Sequence, residues 1–523
     1  MKNLKDLFLL ASVFVTGSAV LVIEIIAIRM LSPHYGNTMY ATSSVIGVIL
    51  AALSVGYYAG GIIADKHPRR GVFYAIIFVS GITVMVMQAA SKVILPFFGT
   101  LFSITQGPLI SSLFLFFVPA FLLATLSPIA IKLYSATDEN LGQRAGKIFF
   151  WSTLGSINGS LLTGFFLIPF FGIDTIVMAT GAVLSLWACL GFAWHSTGHK
   201  KIILLLAGAG MICLSLYYFS AAGVPKPAGI VYQKDGLYEK IIIQDGMWGG
   251  RSTRFLFQDR SYSAAMYLDS LGHSPSGRSQ TGEASDLVFD YTKYYSLYQL
   301  INPGATTAFA IGGGGYSIPK ALLQDSPAMR VDVAEIEPSL HEIAKTYFNL
   351  PATDRLQHYA QDGRRFLKTT NKKYGIIIGD AYYSLFSIPI HLATQEFFAL
   401  AKSKLEDNGV FIGNFVGYLD AKNPSFIASE IKTFKSVFEN SYFFAVQAPD
   451  APSSQNIIFL GINGNKTVDF QSPAVVKNTN PILKNLGLHQ IDMAQIDFSK
   501  HREITDNYAP VEYLVSKIIN RWQ

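Results

Sequence analysis

Two acidic residues, Glu335 and Asp380, each end a short apolar run that is long enough for a buried strand. Acids at the carboxyl ends of parallel strands face the crevice in which open α/β sheets bind their ligands. The sequence therefore predicts two carboxylates at the ligand-binding edge of one sheet. For Asp380 the alternative is a helix N-cap or an ordinary loop acid.

Four consecutive glycines, residues 312–315, separate the strand-like run 307–311 from a predicted helix start at residues 318–323. Glycines let the backbone approach a ligand closely, and an acid about 20 residues later can accept hydrogen bonds from two ribose hydroxyls. Glu335 has that spacing. The pattern lacks the third glycine of a dinucleotide site, so a mononucleoside fits better. The alternative is a tight turn followed by a solvated Glu.

The composition is too apolar for an ordinary soluble protein. Of 523 residues, 50% are hydrophobic and 15% are charged, with a mean hydropathy of +0.33, whereas about 25% charged residues is usual. The net charge of +6 is dispersed, and without a basic cluster between aromatics we expect no nucleic-acid partner. The cysteines, Cys189 and Cys213, match no metal spacing, and we expect no metal.

The N-terminal part of the chain consists of long apolar runs separated by short polar breaks. Seven runs have about the 20 residues that a helix needs to cross a bilayer, which excludes a cleaved signal peptide as their explanation. They are residues 7–31, 39–63, 72–92, 107–131, 148–170, 173–194 and 202–220. Residues 93–105 are also apolar but contain Pro96 and Gly99, so an additional re-entrant segment is an alternative.

Basic residues occupy alternate breaks between the runs. They are Lys2, Lys5, Lys66, Arg69, Arg70, Lys132, Arg144, Lys147, Lys200 and Lys201. The positive-inside rule therefore predicts a cytoplasmic N-terminus. Seven spans would place everything after residue 220 outside the cell, in conflict with a site for an intracellular nucleoside, so the side of the C-terminal part stays open.

Small and polar residues mark two of the spans. Gly56 with Gly60, and Gly155 with Gly159, have the spacing that permits close helix packing. Asn158, with serines at 156 and 160, makes the fifth span polar. Interhelical hydrogen bonds explain this polarity, and a transport path is the alternative.

Several longer motifs give the chain a resemblance to a known family. They are GIIADKHPRR, WSTLGSINGSLLTGFFLIPFFG, IGGGGYSIPKAL, GDAYYSLFSIPIHLATQEFF and ITDNYAPVEYL. With them the chain resembles the spermidine synthases, which are polyamine aminopropyltransferases, and especially their membrane-fused bacterial branch. The resemblance implies an integral multi-pass protein of the prokaryotic inner membrane, with the lipid bilayer as a partner, and it allows a homodimer.

The resemblance also implies the fold of each part of the chain. Residues 1–222 would form a multi-span helical membrane domain, and residues 223–280 a small β-rich domain. Residues 281–523 would form a doubly wound α/β domain, a Rossmann-like fold of the S-adenosylmethionine (SAM) methyltransferase type.

The resemblance implies a nucleoside site for SAM, decarboxylated SAM or the product methylthioadenosine. Its residues would be Gly312, Gly313, Gly314, Glu335, Asp362 and Gly363. Asp362 would accept a hydrogen bond from the adenine amino group, and the alternative is a turn-forming Asp-Gly pair. Asp380 matches the catalytic Asp, which holds and deprotonates the attacking amine. Glu239, Tyr291 and Tyr383 fall at substrate-binding positions.

Two departures bear on the substrates. The synthases carry an Asp after the three glycines and another three residues after the catalytic Asp, where this chain has Gly315 and Tyr383. An unpaired ammonium in a closed site is costly, so these changes weaken the case for the usual diamine acceptor. The first change also removes a charge that would repel the carboxylate of intact SAM. Glu239 stands where the family has Gln, and Thr292 where it has His.

Three functions follow from this pattern. The leading one is transfer of an aminopropyl or related alkyl group from a sulfonium nucleoside to an amine such as a polyamine. The second is a reaction of intact SAM, either methyl transfer or SAM cleavage. The third is a membrane transporter or sensor whose nucleoside domain binds without chemistry.

Overall fold

The computed structural model describes residues 2–134, 140–195, 210, 229–259, 261–268, 287–381, 389–419 and 425–519. The chain divides into two compact units, Met1–Pro227 and Ala228–Gln523. The position of Tyr383 lies outside the described residues, as does the seventh predicted span apart from residue 210.

Six helices of the N-terminal unit are long and apolar enough to cross a membrane, and they correspond to the first six predicted spans. They are α1 (Lys2–Tyr35), α2 (Met39–Lys66), α3 (Arg70–Leu101), α4 (Gly107–Tyr134), α5 (Leu141–Leu162) and α6 (Ile173–His195). A π-helical turn, Thr163–Leu167, continues α5 toward Phe170.

The re-entrant segment considered for residues 93–105 is wrong. Residues 93–101 continue α3, which contains Pro96 in its interior. Proline is tolerated inside apolar helices of this kind because neighbouring groups satisfy the backbone acceptors that it leaves free.

Glycines bring the helices of the N-terminal unit into close contact, as their spacing predicts. A Cβ atom added at Gly60 would lie 2.5 Å from the carbonyl oxygen of Thr125 in α4, and one at Gly155 would clash with the carbonyl of Phe14 in α1. Ser156 donates a hydrogen bond to the Gly17 carbonyl at 3.1 Å, as interhelical bonding predicts. Asn158 is exposed, so that explanation fails for this residue.

The C-terminal unit begins with a four-stranded antiparallel sheet in the order β1-β2-β3-β4. Its strands are β1 (Ile230–Asp235), β2 (Lys240–Trp248), β3 (Arg251–Gln258) and β4 (Ser261–Tyr267). Gly249 and Gly250 form the turn of the β2–β3 hairpin, so its two strands extend as far as Trp248 and Arg251. Both glycines have positive φ, at 55° and 80°, which glycine adopts without strain.

The second sheet has seven strands in the order β10-β11-β9-β8-β5-β6-β7. They are β5 (Thr307–Ile311), β6 (Arg330–Glu335), β7 (Leu356–Ala360), β8 (Tyr374–Gly379), β9 (Leu405–Gly417), β10 (Ser441–Ala445) and β11 (Gln455–Ile462). The first five are mutually parallel, whereas β11 runs antiparallel to both neighbours. The strand order reverses between β5 and β8, where open α/β sheets form their binding crevice.

Helices pack on both faces of the second sheet. They are α7 (Ser317–Asp325), α8 (Leu340–Tyr347), α9 (Gly363–Thr369), α10 (Gln395–Ser403), α11 (Phe426–Val437) and α12 (Val511–Ile519). Successive residues of β5 enter different cores, Ala308 and Ala310 one, Phe309 and Ile311 the other. Burial on both faces explains why this strand reads as a continuous apolar run.

Candidate nucleoside and amine site

A cavity of about 600 Å³ opens at the carboxyl ends of β5, β6 and β8, beside the small sheet of the same unit. This volume is in the range of small-molecule sites. The cavity brings together all the sequence-predicted site residues that the structure describes. They are Glu239, Tyr291, Gly312, Gly313, Gly314, Glu335, Asp362, Gly363 and Asp380.

Glu335 holds the glycine loop from the end of β6. Its Oε2 accepts hydrogen bonds from the backbone N–H groups of Gly313 at 2.7 Å and Gly314 at 3.2 Å, and its Oε1 accepts from the N–H of Glu337 at 2.9 Å. Burial raises the pKa of Glu335, and these three N–H groups offset part of that rise. The loop and the predicted ribose acceptor therefore form one unit.

Gly312 allows the first turn of the loop to pass close to β8. Its φ is 88°, and a Cβ at this position would clash with the carbonyl oxygen of Asp380. A residue with a side chain would push the loop away from the end of β8. This glycine thus brings the predicted nucleoside loop next to the predicted base.

Asp380 is partly buried on the cavity wall and is held by neutral donors. Its Oδ1 accepts a hydrogen bond from Asn414 Nδ2 at 3.0 Å, and Tyr291 supplies a second side-chain hydrogen bond. Asn456 Nδ2 in turn donates to Asn414 Oδ1 at 2.9 Å, which fixes the amide orientation. Burial raises the pKa of Asp380, and the bonds from Asn414 and Tyr291 partly oppose the rise.

Asp362 caps the N-terminus of α9. Its Oδ1 accepts from the backbone N–H of Arg365 at 2.8 Å, and its Oδ2 lies 2.7 Å from His391 Nε2. Burial acts to raise the pKa of this carboxyl, but the bonds from His391 and Arg365 outweigh it, so the pKa lies below its ordinary value. The carboxylate is therefore an acceptor that the protein itself already orients.

Glu239, the residue before β2, is buried beside the cavity. Its Oε1 accepts a hydrogen bond from Gln258, and Gln258 in turn accepts from Ser263. Its Oε2 has no hydrogen-bond partner among the described residues. Burial, with the nearby Asp259 and Glu335, raises its pKa well above the ordinary value. A carboxyl whose pKa is raised in this way can donate a hydrogen bond from its protonated form as well as accept one.

Gly315, one of the two departures, is enclosed by the small sheet. A Cβ at this position would lie 2.6 Å from Ala264 Cβ in β4. The approach of β4 therefore leaves no room for the Asp that the synthases carry here. The second departure, Tyr383, lies outside the described residues.

Several polar residues of the cavity were not predicted from the sequence, among them Gln258, His391, Asn414 and Asn456. The only available signal was position, because Asn414 lies near the carboxyl end of the parallel strand β9. Their roles depend on contacts between distant elements, which residue spacing does not encode.

Part of this chain is similar to known proteins. Residues 299–472 match the family model of the spermine/spermidine synthase domain. A polyamine aminopropyltransferase of Vibrio vulnificus is 25% identical over 327 residues, which cover 60% of this chain and 99% of that protein. These matches support the spermidine synthase family.

Two further similarities extend the comparison. Polyamine aminopropyltransferase 2 of Aquifex aeolicus is 21% identical over 467 residues, which cover 84% of each protein. The crystal structure of a probable spermidine synthase from Corynebacterium glutamicum aligns with a TM-score of 0.43 and 17% identity, covering 53% of this chain and 96% of that chain.

Proposed function

We propose that the C-terminal unit transfers an aminopropyl or related alkyl group from a sulfonium nucleoside, of the decarboxylated SAM type, to an amine. The observation that carries this proposal is Asp380, an oriented carboxylate on the wall of a cavity shared with Glu335 and the glycine loop. The match to the spermine/spermidine synthase domain agrees with it.

The reaction needs one nucleophilic substitution. The amine nitrogen attacks the carbon bonded to the sulfonium sulfur, a C–N bond forms, and the C–S bond breaks. Its electron pair goes to sulfur, which leaves as the neutral thioether methylthioadenosine, and the surplus amine proton passes to Asp380. Because the leaving group is already activated, the protein's tasks are to position the two reactants and to accept the proton.

The neighbours of Asp380 suit that task. Only the ionised carboxylate accepts a proton, and the raised pKa of Asp380 makes that carboxylate a stronger base. Asn414 fixes one carboxylate oxygen, so the geometry of the other is defined before the amine arrives. In the proposed reaction, the proton acceptor and the groups that orient it are all side chains of this protein.

A second sulfonium donor also fits the site. The lack of a carboxylate at Gly315, and the obstruction of that position by Ala264, favour a second candidate, intact SAM. The carboxylate of intact SAM would face no acidic side chain at residue 315.

We also propose that the protein belongs to the membrane-fused branch of the family and acts at a bilayer. Six long apolar helices support this. The Aquifex aeolicus match covers 84% of this chain, which is more than the C-terminal unit contains, so the similarity extends into the N-terminal helices.

Product analysis of the full-length protein in detergent tests the donor and the reaction together. We expect decarboxylated SAM plus a panel of mono- and polyamines to yield methylthioadenosine and an alkylated amine, both measured by mass spectrometry. S-adenosylhomocysteine formed from SAM would instead establish methyl transfer. Nucleoside binding without any product would contradict the enzymatic proposal and favour a sensor or transporter.

A further inference from the structure

We propose that His391 orients Asp362 to read the edge of the nucleobase, and that Asp506 positions this pair through Arg364. This inference rests on the proposed nucleoside site, because it assigns the base-selective part of that site. His391 lies in the motif GDAYYSLFSIPIHLATQEFF and Asp506 in ITDNYAPVEYL, but residue spacing predicts a role for neither side chain.

The first observation is a side-chain pair on the cavity wall. His391 Nε2 lies 2.7 Å from Asp362 Oδ2, and both residues line the cavity. The imidazole is 41% exposed and the Asp362 side chain 27%, so both present polar atoms to a ligand. Each carboxylate oxygen accepts two hydrogen bonds, so Asp362 keeps acceptor capacity after capping α9 and pairing with His391.

A hydrogen lies between Asp362 and His391. The pKa of Asp362 lies below its ordinary value, so Asp362 is a carboxylate and can only accept. His391 Nε2 therefore donates to Asp362 Oδ2. Asp362, held in this way, remains an acceptor on the cavity wall. It suits the amino group of a 6-aminopurine and opposes the oxygen of a 6-oxopurine.

The second observation is the support behind the imidazole. Arg364 Nη1 donates to the backbone carbonyl of His391 at 2.9 Å. The same guanidinium makes two hydrogen bonds of 2.6 Å to the carboxylate of Asp506, and Thr394 donates to that carboxylate at 2.8 Å. Arg364 is 8% exposed. A bidentate pair of this kind fixes orientation as well as distance.

These contacts connect Asp506, in the C-terminal ITDNYAP motif, to Asp362 and His391. Arg364 follows Asp362 by two residues at the start of α9, and its partner carbonyl belongs to His391. Asp506 thus holds both members of the base-reading pair in one arrangement, without contacting the ligand itself. It is a positioning residue.

The test compares affinities for 5′-methylthioadenosine and 5′-methylthioinosine by calorimetry, with the full-length protein. We expect the wild type to prefer the adenosine compound. His391→Ala should reduce this preference by about tenfold, the loss of one hydrogen-bonding group. His391→Gln should retain most of it, because its amide N–H can donate to Asp362 as the imidazole does. An unchanged preference in His391→Ala overturns the role of His391.

The positioning role has its own variant and control. Asp506→Asn should lower the adenosine-to-inosine preference several-fold. Asp497→Asn should leave it unchanged, because Asp497 has a similarly exposed side chain in a surface ion pair with Lys500. Equal losses of affinity for both nucleosides in Asp506→Asn would show a merely structural role and overturn this part. A wild type that binds neither nucleoside would overturn the proposed function itself.

Discussion

At the scale of single residues, the cavity acids differ through their neighbours. Asp362 is kept ionised by N–H donors, and Glu239 is driven toward its neutral form by burial and nearby acids. Asp380 lies between these cases, because burial raises its pKa while Asn414 and Tyr291 oppose the rise. Pairs of groups whose environments push their pKa values apart are typical of sites with divided roles.

Asn414→Leu tests the hydrogen bond to Asp380. The amide N–H stabilises the ionised carboxylate and so lowers its pKa. Removing it should raise that pKa, and the acidic limb of the kcat/KM profile should move to higher pH. At neutral pH we expect a loss of about tenfold, the effect of one hydrogen bond to a charged group. The pH dependence of kcat/KM provides the measurement.

Asn456→Leu is the graded control for this change, because Asn456 donates its hydrogen bond to Asn414, which in turn donates to Asp380. It should shift the acidic limb in the same direction by less. An acidic limb that stays in place, or moves to lower pH, in Asn414→Leu would contradict the role of this bond.

At the scale of secondary-structure elements, the strands and helices that could be predicted are those that a local residue pattern encodes. The strands β5, β6 and β8 follow from their apolar runs, and the acids at or beyond their ends follow from strand termination. The apolar length of α1–α6 similarly encodes their existence. The continuation of α3 through Pro96 depends on tertiary neighbours, so the sequence did not predict it.

The contacts between elements were predicted least. His391 and Asp362 meet because the 389–394 turn packs on the start of α9, which in turn depends on Arg364 and Asp506 142 residues away. Asn414 reaches Asp380 because β9 adjoins β8. Residue spacing in the sequence indicates neither contact.

The approach of β4 to the glycine loop yields a prediction at this scale. Gly315→Asp should not restore the acid of the synthases but should destabilise the C-terminal unit, because its Cβ would lie 2.6 Å from that of Ala264. Overpacking of this kind typically costs about 1–3 kcal/mol. Thermal unfolding of the variant in detergent should show a lower midpoint.

The double variant Ala264→Gly with Gly315→Asp is the matched control. Removal of the Ala264 methyl creates the missing space, so we expect it to recover part of the lost stability. If Gly315→Asp alone unfolds at the wild-type temperature, the steric account of this departure is wrong.

At the scale of the whole molecule, the proposal requires the C-terminal unit to reach a cytosolic nucleoside. The basic residues between the apolar helices predict a cytoplasmic N-terminus. An even number of spans then returns the C-terminal unit to the cytoplasm. Six helices of the described residues could cross a membrane, which is an even number. A seventh span at residues 202–220, which lie outside the described residues apart from residue 210, would reverse the side.

Reporter fusions test this topology in cells. A reporter within residues 66–70, between α2 and α3, should read cytoplasmic, and one at the C-terminus should read cytoplasmic as well. The first loop, between α1 and α2, serves as the internal control and should read exterior. An exterior C-terminus would make transfer from a cytosolic sulfonium nucleoside untenable.

The most direct test of the central claim is single-turnover transfer by Asp380→Asn in the presence of the sulfonium donor and its amine. The substitution preserves shape, so methylthioadenosine binding should remain nearly intact, while removal of a general base should slow alkyl transfer by about 10²–10⁴-fold. Asp354→Asn, an exposed acid outside the cavity, is the control. A transfer rate in Asp380→Asn equal to that of the control would contradict Asp380 as the base and, with it, the mechanism proposed for this site.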